Sequence, residues 1–275
     1  MKQAGEREGR YNIRVLDRAI QILSVLSDGE LHSLTDLSEK VKLSSSTTFR
    51  ILSNLYYHNY VERDEQSGAY KLGLACLELA RAYSESNDLR LTALPELEAL
   101  RDDTKETVHL AVLDRNQVVY LDKLPGLHAI GIMSSQIGRR APAYCTGLGK
   151  VLLAHQPDRQ SIREYFEKRG LYRFTDATIQ SVDELMVELD EIKQRGYAFD
   201  LGEHELEVRC VAAPIFDING RAVAAISISG PSSRLDPLER NQEIIDKTVR
   251  TARMISAKLG YRVPARDSKA QSNIR

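Results

Sequence analysis

The stretch Leu43–Asp64, LSSSTTFRILSNLYYHNYVERD, sets five hydroxyl side chains ahead of an apolar run at helical spacing. Projected as a helix from Ser45 to His58, it turns Thr48, Ile51, Leu52 and Leu55 to one side and Ser46, Arg50, Ser53, Asn54 and Tyr57 to the other. The first stripe is a core face. The second is short-chained and rich in hydrogen-bonding groups. Helix tips, serines and threonines suit phosphates and base edges alike, and Arg50 can pair bidentately with a guanine. The same hydroxyl cluster also reads as a plain N-cap in a dimerisation module. At this level both readings stand.

Working outward, YNIRVLDRAIQILSVLSDGE spaces Val15 or Leu16, Ala19, Ile20, Leu23 and Leu26 as one helical face ending at Asp28-Gly29. HSLTDLSEKV follows as a short helix with Ser33 as its expected N-cap and Leu34, Leu37 and Val41 inward. YVERDEQSGAYKL reads as strand, turn at Ser67-Gly68, strand. A short helix, a tight turn, a longer helix and a hairpin make the layout of a winged helix-turn-helix. Cations that could meet phosphate include Arg10, Arg14 and Arg18 in the leader and first helix, and Arg63 and Lys71 in the wing, beside Glu62, Asp64 and Glu65. A row of arginines is also what a solvated face carries.

The formal net charge is −1, so an attraction to nucleic acid has to come from a local patch. Three cysteines, none in a C-x-x-C pair, argue against a disulfide frame or zinc site and suit a reducing cytoplasm. No apolar run approaches a spanning helix, and the polar leader lacks the apolar core of a signal peptide.

From Gly73 to about Thr104 the pattern is helical, with Leu74, Leu77, Ala80 and then Leu94, Leu97, Leu100 apolar, and Pro95 expected near the start of the second helix. ETVHLAVLDRNQVVYLDKL predicts two strands around a turn at Asp114–Asn116, HAIGIMSS a third, and Gly149–Ala154 the start of a helix. RGYAFD and RCVAAPIFDINGRAVAAISISG add strands, with a hairpin at Asp217–Gly220, before a last helix over Leu238–Leu259. Hairpins mixed with helices predict an α+β fold with a largely antiparallel sheet.

Taken in order, VLDRAIQIL, LTDLSEKVKLSSSTTFRILSNLYYHNYV and YKLG, then GLGKVLLA, RGYAFD, RCVAAPIFD, GRAVAAISISGP and KLGY resemble the IclR family of bacterial transcription regulators over nearly the whole chain. The resemblance implies a winged helix-turn-helix over residues 1–72, a linker helix over 73–88 and a GAF-like effector domain over 89–263, with 264–275 a disordered tail. It implies double-stranded operator DNA as partner, a homodimer or dimer of dimers, a repressor or activator without a cofactor, and a small carboxylate effector. The DNA-contacting set would be Ser45, Ser46, Thr47, Arg50, Asn54, Arg14 and Arg18. IGRRAPAYCTGLGKVLLA, with ETVHLAVLD before it, looks closest to members sensing sugar-derived keto acids such as 2-keto-3-deoxygluconate. Glyoxylate, pyruvate or an aromatic acid are the alternatives. Two departures bear on pocket size: Glu207 where a glycine is common, and Leu148 and Val151 in place of small residues.

For the effector, Gly147-Leu148-Gly149 opens a helix, whose free amides favour an anion. A phosphate loop is excluded because Val151 follows Lys150. Ser227 and Ser229 share one strand face with Ala225, while Ile226 and Ile228 take the other. That face lines a cavity or meets solvent. In the resembled family, positions matching Asp200, Cys210, Ser227 and Ser229 contact the effector, as does backbone at Gly147 and Leu148. Asp200 would then accept from ligand hydroxyls, and Met133 serve as an apolar wall or as core. An enzyme finds little support: the histidines lack metal-ligand spacing, and Cys210 with Asp200 has no nucleophile elbow around it.

Overall fold

The computed structural model describes residues 13–86, 88–127 and 133–262. Arg10, His128, most of the expected strand HAIGIMSS and the tail lie outside the described residues. The chain divides between Asn87 and Asp88 into two compact units.

The first unit contains α1 (Arg14–Leu26), α2 (Leu34–Lys40), α3 (Ser45–Tyr57), β1 (Val61–Arg63), β2 (Tyr70–Leu72) and α4 (Leu74–Glu85). Helix α2 starts where the Asp36 amide donates to Ser33 Oγ at 3.1 Å. It ends in a tight turn that Lys42 makes at a left-handed φ of 54°. Strands β1 and β2 pair antiparallel, and His32 bridges to Tyr70 through both backbone bonds. Ile22, Leu26, Leu37, Ile51, Leu52, Val61 and Tyr70 form the core.

One expected face is corrected. In α1 the buried residues are Ile22 and Leu26, with Ala19 and Leu23 half-buried, while Val15, Leu16 and Ile20 are exposed. The apolar residues of α1 cover more than one stripe, so spacing alone left its phase open. Helix α4 buries no residue, and Leu74 and Leu77 stand exposed.

The second unit begins with α5 (Asp88–Thr104) and then β3 (Thr107–Asp114) and β4 (Gln117–Leu124), joined by Arg115 and Asn116, both at positive φ. That pair of left-handed residues is what a two-residue hairpin needs. Next come β5 (Arg140–Pro142), a 3₁₀ turn, α6 (Gly147–Ala154), α7 (Arg159–Arg169), α8 (Val182–Arg195), β6 (Ala198–Asp200), β7 (Val208–Phe216), β8 (Ala222–Pro231), α9 (Ser232–Leu235) and α10 (Gln242–Lys258). The strands form one antiparallel sheet in the order β5-β4-β3-β8-β7-β6. One face packs on α6, α7 and α8 and the other on α5 and α10. The fold is α+β.

Pro95 lies well inside α5 rather than near its start. It has no N–H for the Leu91 carbonyl, and Leu91 is half exposed, where water can serve that carbonyl. The last helix starts later than expected, at Gln242, because Asn241 accepts from the Ile244 amide and caps it there.

Candidate nucleic-acid interface and ligand cavity

The five hydroxyls before α3 divide by role. Ser44 is the N-cap, with its Oγ receiving the Thr47 amide at 3.4 Å. Thr48 is fully buried and donates to the Ser44 carbonyl at 3.1 Å. That leaves Ser45, Ser46 and Thr47 exposed at the helix tip. Arg50, Ser53 and Asn54 continue the exposed face, with Ile51 and Leu52 buried behind it.

Of the seven candidate DNA residues, Arg14, Arg18, Thr47, Arg50 and Asn54 border one open groove between α1 and α3. Ser45 and Ser46 lie outside it at the tip. Arg14 and Arg50 are exposed and hold no ion pair among the described residues. Arg18 is tethered, donating to the Val41 carbonyl at 3.3 Å and to Gln21. Both wing cations are engaged as well. Lys71 pairs with Glu62 across the hairpin at 3.3 Å, and Arg63 donates to the Gly68 carbonyl and lies over the Tyr70 ring. The free cations are thus fewer than the sequence count suggests. Sequence reasoning passed over Phe49 and Tyr56, which stand 49% and 56% exposed on the wing side of α3.

In the second unit all seven candidate ligand residues, Met133, Gly147, Leu148, Asp200, Cys210, Ser227 and Ser229, line one small cavity. Strand pairing brings them together: Asp200 faces Cys210 between β6 and β7, and Cys210 faces Ser229 between β7 and β8. Ser227 and Ser229 are buried, which removes the solvent-face alternative. Ile226 and Ile228 point into the core against α5 and α10.

Helix α6 sits at the cavity floor. Thr146 Oγ1 receives the Gly149 amide at 3.2 Å, so Gly149 does not supply an open donor as first expected. Gly147 and Leu148, in the first turn, keep amides with no helical acceptor. A Cβ on Gly149 would come within 2.3 Å of the Ala143 backbone, so the helix seat requires glycine there.

Asp200 is corrected in part. Its Oδ1 caps the turn after β6, accepting from the amides of Gly202 at 3.1 Å and Glu203 at 2.7 Å. Burial pushes its carboxyl above the usual value, against the pull of Lys150 and of the Glu203 and His204 amides. Burial, and then Asp200, push the Cys210 thiol up to about 12, which disfavours the thiolate that a nucleophile needs.

The wall also holds His109, Tyr120, Ser135, His204 and Glu205, which sequence reasoning missed. His109 faces Ser227 in the β3–β8 register, so the two share a sheet face. That pairing is invisible before the strands are aligned. Segment 133–135 is held by two opposite charges. Lys123 Nζ donates to the carbonyls of Ser135 at 2.6 Å and Met133 at 3.4 Å. Glu205 accepts from the Ser134 hydroxyl at 2.6 Å and its amide at 3.2 Å. Burial works against the Glu205 charge, but His204 and Ser134 outweigh it and hold its carboxyl below the usual range. Among the described residues no cluster of histidine, cysteine and carboxylate side chains could hold a metal ion, and no helix is long and apolar enough to cross a membrane.

A winged helix-turn-helix joined to an α+β domain with a polar cavity is the architecture of a ligand-responsive transcriptional regulator. The profile of the IclR helix-turn-helix domain matches residues 15–65, and that of the bacterial transcriptional regulator IclR C-terminal domain matches residues 81–257. The chain belongs to the IclR family. It is 38% identical to the HTH-type transcriptional regulator KdgR of Escherichia coli over 240 residues, 87% of this chain and 90% of that protein. The crystal structure of the Thermotoga maritima IclR superposes with a TM-score of 0.71 at 33% identity, covering 91% of this chain and all of the other. An IclR homolog from Microbacterium hydrocarbonoxydans complexed with 4-hydroxybenzoate gives a TM-score of 0.78 at 26% identity, covering 89% and 98%. KdgR is named as a transcriptional regulator, and this chain is a member of a family of bacterial transcriptional regulators.

Proposed function

We propose that this regulator controls a catabolic operon in response to a small hydroxylated carboxylate, a sugar-derived keto acid of the 2-keto-3-deoxygluconate kind, bound in the second unit. The observation that carries this is the cavity wall. Open amides at Gly147 and Leu148 and the hydroxyls of Ser227 and Ser229 suit a carboxylate, while Asp200 and Glu205 supply acceptors for hydroxyl groups at the other end. Similarity to KdgR favours the sugar-acid class. In this reading residues 1–72 bind operator DNA through Ser45, Ser46, Thr47, Arg50 and Asn54, with Arg14 and Arg18 alongside. Residues 73–88 link to the effector domain, and the chain works in the cytoplasm as a dimer or dimer of dimers.

Calorimetric titration with 2-keto-3-deoxygluconate, pyruvate, glyoxylate and 4-hydroxybenzoate is the test. Preference for the first supports the proposal; preference for 4-hydroxybenzoate moves the chain to the aromatic-acid readers, the class of the ligand in the Microbacterium complex.

A further inference from the structure

His109 is buried in the middle of the cavity wall. Its Nε2 lies 2.9 Å from Ser135 Oγ, and its Nδ1 lies 3.3 Å from Ser227 Oγ and 3.5 Å from Ser229 Oγ. Three hydroxyls therefore meet two ring nitrogens. Burial, reinforced by Lys123, drives its pKa down to about 3, so the ring is neutral at working pH. One nitrogen donates and the other accepts.

The carboxylate reading decides which. A carboxylate only accepts hydrogen bonds, and each serine hydroxyl has one proton. Were Nδ1 the bare nitrogen, a serine would direct its proton to the ring and present only lone pairs to the ligand. The opposite tautomer avoids this and leaves both serine protons free, the 3.4 Å contact between the Ser227 and Ser229 hydroxyls included. Two oxygens at similar, slightly long distances from Nδ1 fit one N–H shared between two acceptors, a common three-centre bond.

We propose that His109 is the positioning residue of the carboxylate subsite: with effector bound it carries its proton on Nδ1, donates it to the Ser227 and Ser229 oxygens, and leaves both hydroxyl protons directed at the ligand. This rests on the carboxylate reading given above. Nε2 must then accept, and its donor is the Ser135 hydroxyl. The polarity runs in one sense: Ser135 O–H to Nε2, Nδ1–H to the serine oxygens, serine O–H to the carboxylate. Ser135 belongs to the segment that Lys123 and Glu205 hold, so the orientation of the carboxylate donors is tied to that segment's position.

The test uses the full-length protein with its histidines labelled with ¹⁵N, saturated with 2-keto-3-deoxygluconate or pyruvate. The expected result is a neutral His109 ring protonated on Nδ1. A ring protonated on Nε2 with either acid bound overturns the proposal. Substitution gives an independent arm. In His109→Asn the amide nitrogen occupies the place of Nδ1, whereas in His109→Gln it reaches the place of Nε2. His109→Asn should hold both acids within a few-fold of wild type, and His109→Gln should lose about tenfold or more, roughly 1.4 kcal/mol. Equal losses in both variants would reduce His109 to a space-filling residue and sink the proposal. A wild type that binds none of the carboxylates defeats the effector reading itself, which the Nε2–H outcome with acid bound does not.

Discussion

Lys150, the fourth residue of α6, forms an ion pair with Glu203 inside the effector domain, and Glu188 lies 3.8 Å from the same ammonium. The Lys150 side chain is 2% exposed and Glu203 9%. Burial pushes the Glu203 carboxyl up to about 7 even though Lys150 pulls it down, and its Oε2 has no hydrogen-bond partner. Removing one member of a buried pair strands the other charge. Lys150→Met should therefore cost about 3–5 kcal/mol of stability in urea unfolding. Lys150→Met with Glu203→Leu should recover most of it. A double variant no better than the single one would show that the pair is not the source.

His32 gives the first unit a dependence on pH. It is buried between Asp28, 2.9 Å from Nε2, and Asp36, bonded to Nδ1. Hydrogen bonds to Asp36 and Asp28 raise its pKa above the ordinary 6.5. Its contribution is full below that value and is lost as pH rises through the raised one. Asp28, through the Glu30 amide and then His32, and Asp36, through His32, are lowered from 3.8, so theirs is lost as pH falls through the lowered values. The clamp is strongest between these limits. Exchange of the Tyr70 amide, which donates to the His32 carbonyl, should be slower in wild type than in His32→Asn at pH 6. The gap should close by pH 9. A constant gap would show that the ring acts by packing alone.

Arg50→Ala should weaken operator binding by about 1–3 kcal/mol and blur preference at one base position. Arg18→Ala should loosen the α2 end as well, since Arg18 donates to the Val41 carbonyl. A dimer using about six phosphate contacts should give a log–log salt slope near −5. With Lys71 and Arg63 already engaged in the wing, Lys71→Ala should leave that slope unchanged. A fall of about one unit in that variant would place Lys71 on a phosphate.

Asp200→Ala should uncap the turn at Gly202 and Glu203 as well as remove an acceptor from the cavity. Weaker binding of 2-keto-3-deoxygluconate with pyruvate spared would support the orientation proposed for the ligand. Equal loss of both acids would mean that the capped turn, not the acceptor, is what the ligand needs.

The core stripe of α3 and the alternation of β8 were legible because each repeats a simple period against one buried face. Helix α1 was legible as a helix but not in phase, since Val15, Leu16 and Ile20 are as apolar as the residues that are buried. The sequence expectation omits α7 and α8, although Ser181 with Glu184 three residues on, and Leu185, Leu189 and Ile192 after them, mark α8 clearly. At the cavity, the residues found were those in motifs. His109, Ser135 and Glu205 come from segments far apart in sequence, and only strand register and the Ser134–Glu205 contact assemble them.

The alternation along β8 has one more effect. Ser227 and Ser229 face the cavity while Ile226 and Ile228, on the same backbone, are clasped by α5 and α10. The receptor wall and the structural keel are one strand with two sides. A slip of one residue would thrust isoleucines into the cavity and hydroxyls into the apolar layer. Exchanging side chains in place therefore retunes the receptor side and leaves the keel intact, whereas gaining or losing a single residue within the strand disturbs both at once.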